Sequence, residues 1–252
     1  HQEERLRQYE PVFGGWTIEE EIGSGSFSHI YRIQNEANAE AVVKVITISY
    51  ADSMYQTPEA FGDYYKQVYS EVKKLAELKG YRSIVAYEDS AVKRITDESG
   101  RFLGFDILIK MEKLESLDQY LREGEILSEE QTVELGIDIC RALEVVMRET
   151  KLVHRDIKPQ NIFVTRDGGF KLGDFGVAGS ISEAADLHTM VGTPPYMAPE
   201  VRLCDTYNQT ADIYSLGLVM YELLNGNHLP FYEAGKDSMA ELQENLRRRM
   251  AG

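Results

Sequence analysis

The residues of this chain best suited to chemistry are Lys44, in the apolar run Val42-Val43-Lys44; Asp156, Lys158 and Asn161, in His154-Arg155-Asp156-Ile157-Lys158-Pro159-Gln160-Asn161; and Asp174, in Asp174-Phe175-Gly176. Two carboxylates, one amide oxygen and two ammonium groups suit anionic phosphates and a hard cation, because Mg2+ takes oxygen ligands and bridges substrate phosphates. In such a set Asp156 accepts a hydroxyl proton, Lys158 neutralises charge on a phosphoryl group in transfer, and Asn161 and Asp174 bind the metal. Taken singly, each is as ordinary as a turn or cap residue. Jointly, with Ile162-Phe163-Val164 and Phe170-Lys171-Leu172 reading as two short strands between them, they describe a metal and phosphate site at the mouth of a hairpin.

Two further features point to phosphate. Gly23 and Gly25, lacking Cβ, let backbone N–H groups approach a triphosphate; Ser26 lies in the same turn, Phe27 at its tip shields it from water, and Ser28 closes it. A lone Gly-x-Gly is as readily a plain hairpin turn. Lys44 lies mid-strand among apolar residues, where an unpaired ammonium is expensive to bury, so it needs a carboxylate. Glu71, one turn before Leu75, is the candidate; a structural ion pair is the alternative reading.

The elements that must position these groups are legible in outline. Trp16 to Ile22, His29 to Ile33 and Ala41 to Ile48 read as strands, preceded by a polar lead-in over residues 1–15. Thr57-Pro58-Glu59 opens a helix expected to run to Lys79 and stop at Gly80, with Phe61, Tyr65, Val68, Val72 and Leu75 on one buried stripe. Ile84 to Tyr87 and Phe105 to Met111 give strand signals, with a hairpin turn near Asp97 to Gly100. Beyond Met111 the pattern turns helical: a short helix over Ser116 to Glu123, a long one capped by Ser128-Glu129-Glu130-Gln131 and ending near Thr150, and another from Thr210 to Gly226. The fold class is α+β, with a β-rich unit over 16–113 and a helical one over 114–252.

Composition narrows the field. At 252 residues, 43% hydrophobic and 27% charged, the chain is globular. A net charge of -15 argues against nucleic acid as a partner, and the one compact basic run, Arg247-Arg248-Arg249, reads as a solvated helix face. No apolar run reaches a membrane span, and Cys140 and Cys204 match no metal or redox spacing, so a reducing setting is expected, either cytoplasmic or as the cytosolic domain of a larger protein.

With Gly192-Thr193 and Ala198-Pro199-Glu200 following in order, the chain from Ile22 onward resembles the eukaryotic-type protein kinase family. The resemblance implies a bilobal fold with ATP as cofactor, Mg2+ as metal, and serine or threonine side chains of protein substrates as acceptors. It makes Met111 the gatekeeper, Glu112 and Leu114 the adenine-binding backbone, Asp118 a ribose contact, and Ile22, Ile30, Val42 and Phe163 the walls of the adenine site. Lys44 would hold the α- and β-phosphates, directed by Glu71, and a spine of Leu75, Tyr87, His154 and Phe175 would rest on Asp212. Lys158 followed by Pro159 resembles the serine/threonine branch, in which Thr193 hydrogen-bonds Asp156 and Lys158.

Arg155 beside the catalytic Asp implies activation by a loop phosphate, and Thr189 has the matching offset, while Gly179 stands where a second basic residue is usual. Gln160 argues against strong selection for upstream basic residues, and Met190 with Val191 for an apolar residue after the acceptor. Self-association for autophosphorylation is compatible with such a kinase. The 40 residues after Asp212 are fewer than the family's large lobe uses, and Glu200 lacks its usual Arg, so an incomplete C-terminal lobe is expected. A pseudokinase scaffold would lack Lys44, Asp156 or Asp174, and a small-molecule phosphotransferase of related fold would lack the Gly192-Thr193 to Glu200 segment; all are present.

Overall fold

The computed structural model describes residues 2–24, 28–50, 57–175, 193–202, 208–232 and 238–251. They divide into two compact units: residues up to Gly80 with Ala86–Lys113, and Tyr81–Val85 with the described residues from Leu114 onward.

The first unit is built on an antiparallel five-stranded sheet of β1 (Trp16–Ser24), β2 (Ser28–Asn35), β3 (Glu40–Ser49), β4 (Tyr87–Thr96) and β5 (Phe102–Glu112), in the order β1-β2-β3-β5-β4. Strand β3 is apolar on both faces, because each face of the sheet is covered. A helix over Pro58–Glu77 (α2) begins at Thr57, whose hydroxyl accepts from the Ala60 N–H at 3.2 Å. It ends two residues before the expected Lys79; Leu78 caps it and Gly80 follows with φ +90°. Phe61, Val68, Val72 and Leu75 are buried as the spacing requires, while Tyr65 is half-buried and stacks on Phe105 with centroids 4.2 Å apart.

Two expectations need correction here. The strand read at Ile84 to Tyr87 belongs mostly elsewhere: Ile84 makes one isolated parallel bridge to Leu172, and β4 runs from Tyr87 to Thr96. As an edge strand, β4 carries Glu88, Asp89, Ser90, Lys93 and Arg94, which breaks its apolar alternation. The lead-in is structured, with a helix over Gln2–Arg7 (α1) whose Leu6 is wholly buried against Val12, Ile18, Tyr31, Ile33, Val43, Val45 and Leu108. Its anchor is Asp106 of β5, 0% exposed, which accepts from Arg5 Nε at 2.7 Å and Nη2 at 3.0 Å, Tyr9 Oη at 2.9 Å and Thr47 Oγ1 at 2.7 Å. Four donors on one carboxylate are what a buried charge requires. Burial and the neighbouring Asp106 push the Tyr9 phenol well up, so it stays a donor. Next to this anchor, Gly104 must be glycine: at φ +152° its Cβ would run into the Ile48 carbonyl.

The second unit contains a small antiparallel sheet of β6 (Glu115–Ser116), β7 (Ile162–Val164) and β8 (Phe170–Leu172), with helices α3 (Leu117–Arg122), α4 (Glu129–Thr150), α5 (Pro199–Arg202), α6 (Thr210–Leu224) and α7 (Met239–Ala251). The capping box of α4 forms in full: Ser128 Oγ accepts from the Gln131 N–H at 3.1 Å, and Gln131 Oε1 accepts from the Ser128 N–H at 2.9 Å. Helix α4 packs on α6 where Gly136 leaves room for the Met220 thioether. Helix α6 closes at Asn225, just before the expected Gly226. Among the described residues no helix is long and apolar enough to cross a membrane.

Candidate active site

The site of the second unit grows from the turn between α4 and β7. Arg155 and Asp174 both take left-handed backbone angles, φ +70° and +57°, which cost non-glycine residues of order 1 kcal/mol or more. Asp212, at the start of α6 and 2% exposed, offsets the first: its two carboxylate oxygens accept the His154 and Arg155 N–H groups, each at 2.8 Å. The His154 ring is wedged between two backbone groups, with Nε2 donating to the Gly173 carbonyl at 2.8 Å and Nδ1 accepting from the Asp156 N–H at 3.3 Å. It meets Phe175 edge to face at 5.0 Å. Both sides of the site, 154–156 and 173–175, are thereby tied to one imidazole.

Asp156 is held at both oxygens. Its Oδ2 lies 2.8 Å from Lys158 Nζ and 3.1 Å from Asn161 Nδ2, and its Oδ1 accepts from Thr193 Oγ1 at 2.9 Å. Lys158 Nζ in turn donates to Thr193 Oγ1 at 2.7 Å, so one hydroxyl bridges the two charged groups. Asn161 Nδ2 also donates to the Asp156 carbonyl at 2.7 Å, which turns the amide oxygen away from Asp156. Asp174 is brought alongside by backbone: the Gly173 N–H donates to the Asn161 carbonyl at 3.0 Å, across the open end of the β7–β8 hairpin. Gly173 is required there, since a Cβ would stand 2.7 Å from both Phe163 and Val85.

Asp156, Lys158, Asn161 and Thr193 therefore converge, and the Gly173 bond brings the backbone next to Asp174 up to Asn161. A carboxylate and an amide oxygen, the ligand types of Asp174 and Asn161, are chemically suited to a magnesium ion that would take its remaining ligands from phosphate and water.

The other sequence-derived candidates are placed as follows. Lys44 is 6% exposed at the middle of β3, opposite Ile30 and Ile109, and Glu71 is half-buried on α2. Ile22 and Gly23 end β1, with Gly23 opposite Ile30; Val42 lies on β3 opposite Met111. Glu112 ends β5 and is locked to Ala86, whose N–H donates to the Glu112 carboxylate at 2.6 Å and whose carbonyl accepts the Glu112 N–H at 3.1 Å. Leu114 is half-buried before β6, and Phe163 is half-buried on β7. Asp118 on α3 accepts from Gln160 Nε2 at 2.6 Å and pairs with Arg122 at 3.1 Å. Gly25, Ser26, Phe27, Gly176, Gly179, Thr189, Met190, Val191, Gly192 and Cys204 lie outside the described residues.

The motif reading missed how the turn after Thr193 is anchored. Ser215 Oγ of α6 donates to the Tyr196 carbonyl at 2.7 Å, and the Tyr196 hydroxyl donates to Glu222 Oε2, two turns further along α6, at 2.8 Å. Burial pushes both the Tyr196 phenol and the Glu222 carboxyl up from their ordinary values. Their spacing from Asp212 on one helix, at offsets of 3 and 10, was the available signal.

The family profile described as "Protein kinase domain" matches residues 16–251. The chain belongs to the protein kinase family. Within it the similarity is to the serine/threonine kinases: the mouse "Serine/threonine-protein kinase Nek1" is 34% identical over 222 residues, covering 86% of this chain and 16% of that protein. The human "Serine/threonine-protein kinase Nek5" is 33% identical over 216 residues, covering 83% and 28%, and the Saccharomyces cerevisiae "Sporulation-specific protein 1" is 32% identical over 228 residues, covering 88% and 42%. The chain thus spans less than half the length of these relatives.

Proposed function

We propose that this kinase domain transfers the γ-phosphoryl group of Mg-ATP to serine or threonine hydroxyls of protein substrates. The observation that carries this reading is the Thr193 hydroxyl, which donates to Asp156 while accepting from Lys158. It holds a base and a cation together, as attack by an alkoxide-forming hydroxyl on an anionic phosphoryl group requires.

In this reading a substrate hydroxyl oxygen bonds to the γ-phosphorus as the bond from that phosphorus to the ADP oxygen breaks. The hydroxyl proton passes to an Asp156 oxygen. Lys158 offsets charge on the phosphoryl oxygens, and Asn161 and Asp174 hold the magnesium ion, which supplies Lewis-acid polarisation of the phosphates when bound. Lys44, directed by Glu71, holds the α- and β-phosphates. Gly23, Gly25, Ser26 and Phe27 are assigned to the phosphates; in the first unit Ile22, Ile30, Val42, Met111 and Glu112 are assigned to the adenosine, and in the second unit Leu114, Asp118 and Phe163. The serine/threonine names of the relatives support the acceptor class.

A second element is regulatory: phosphate on Thr189 pairs with Arg155 and orders the activation loop, by charge-assisted hydrogen bonding. Arg155 supports it by its position next to Asp156.

The test is a Mg-ATP assay on generic protein substrates, read by mass spectrometry for modified Ser, Thr and Tyr, with Asp156→Asn as control. Incorporation into Ser and Thr that Asp156→Asn lowers by about a thousandfold or more supports the reading. No incorporation by the wild type, or equal incorporation by the variant, rejects it. A Thr189→Ala protein as active as wild type rejects the regulatory element.

A further inference from the structure

The basic run Arg247-Arg248-Arg249 does not act as one solvated face. Arg247 pairs with Glu244 through two contacts of 2.7 Å, and Arg248 lies over the Phe231 ring at 4.6 Å. Arg249 turns inward: Nη1 donates to the Pro195 carbonyl at 2.6 Å, and Nε donates to the Pro230 carbonyl at 3.2 Å.

Pro195 is the middle of the 3-10 turn Pro194–Tyr196, which directly follows Thr193. Ser215 and Glu222 of α6 hold the turn at Tyr196, its far end, but the bonds within the turn are few. Pro194 and Pro195 carry no N–H, and Thr193 makes no side-chain cap because its hydroxyl is committed to Asp156. Its own bonds are Tyr196 N–H to the Thr193 carbonyl at 2.9 Å and Met197 N–H to the Pro194 carbonyl at 3.3 Å. The Pro195 carbonyl is met by a guanidinium, and hydrogen bonds from an ionised donor are roughly twice as strong as neutral ones.

We propose that Arg249 is a positioning residue for the protein substrate: by joining the Pro195 and Pro230 carbonyls it fixes the turn that sets the Thr193 hydroxyl between Asp156 and Lys158. The proposal rests on the kinase reading for its catalytic consequence, though not for its structural one. The planar fork spans two carbonyls at once, which a single ammonium does less well.

The test compares Arg249→Ala, Arg249→Lys and wild type in the whole chain, by amide hydrogen exchange and by kinetics. In Arg249→Ala the Tyr196 and Met197 amides should exchange about tenfold faster, with α4 amides unchanged. The kcat/KM for protein substrate should fall about tenfold, with the KM for ATP within about twofold and Arg249→Lys intermediate. In a Thr193→Val background the same substitution should cost less than about twofold, because the two residues act through one contact. Unchanged exchange at Tyr196 and Met197, a rise in the ATP KM matching the loss with protein, or a full-size effect in the Thr193→Val background overturns the proposal. If Arg249→Ala does not fold, Arg249→Gln, which keeps a neutral donor, carries the same readouts. An inactive wild type counts against the kinase reading, and the exchange data then decide the role of Arg249 alone.

Discussion

The Thr193 hydroxyl donates to Asp156 Oδ1 at 2.9 Å, 37 positions away in sequence, and the same oxygen accepts from Lys158 Nζ at 2.7 Å. A side chain that only closed a turn would not need to face a carboxylate and an ammonium together. Thr193→Val keeps the shape and removes both bonds. It should lower kcat by about tenfold to a hundredfold while shifting the melting temperature by no more than about 3 °C, since the site is half-buried. Steady-state kinetics alongside a thermal melt separates the two effects.

Asp212→Ala should act oppositely, on the fold first. It strips the acceptor from two N–H groups, at His154 and Arg155, and leaves the left-handed Arg155 without its support. The expected loss is about 2 to 4 kcal/mol, read by denaturant unfolding, with Asp212→Asn losing less because one acceptor remains.

How much of this was legible in the sequence can be judged from particular residues. Asp156, Lys158, Asn161 and Asp174 were readable as candidates because the proposed phosphoryl transfer would fix both their types and their order, and the hairpin between them follows from Ile162 to Val164 and Phe170 to Leu172. The long helices were readable from caps, Thr57 and Ser128 above all. What escaped is tertiary. Leu6 is a single apolar residue in a polar stretch, and its helix is held by a carboxylate 101 positions later, for which no local pattern exists. Arg249 reads as solvated because its acceptors are backbone carbonyls, which carry no sequence signature. Edge strand β4 was half hidden by its own charges.

The Asp106 anchor yields a stability prediction. Arg5→Met removes the cationic partner and leaves a buried carboxylate, so it should cost about 3 to 5 kcal/mol, whereas Arg5→Met combined with Asp106→Leu should cost clearly less than that. Leu6→Ala should cost about 2 to 5 kcal/mol through the cavity it leaves. Chemical denaturation of the three variants checks all of this. A polar lead-in that merely precedes the domain would show no change.

Glu222 gives a pH dependence with a definite sign. Burial raises its folded-state pKa above the ordinary 4.5, so the folded protein holds this proton more tightly than the unfolded chain. Its contribution to stability is present below the ordinary value and is lost as pH rises through the raised one. Glu222→Gln keeps an acceptor for the Tyr196 hydroxyl and cannot ionise. Its melting temperature relative to wild type should therefore rise as pH is increased above the ordinary carboxyl value. A difference that is flat or falls over that range contradicts the sign.

Helix α6 gives these separate contacts a common ruler. Asp212 grips the turn before Asp156, while Ser215 and Glu222 grip Tyr196 beyond Thr193, all from one rod rising about 1.5 Å per residue. Inserting a single residue between Ser215 and Glu222 would swing the far end by about 100° and slide it one step, tearing Glu222 from Tyr196 while the grip on His154 survives. Length and pitch of that rod, more than any side chain on it, therefore determine whether Asp156 and the Pro194–Tyr196 turn stay in step.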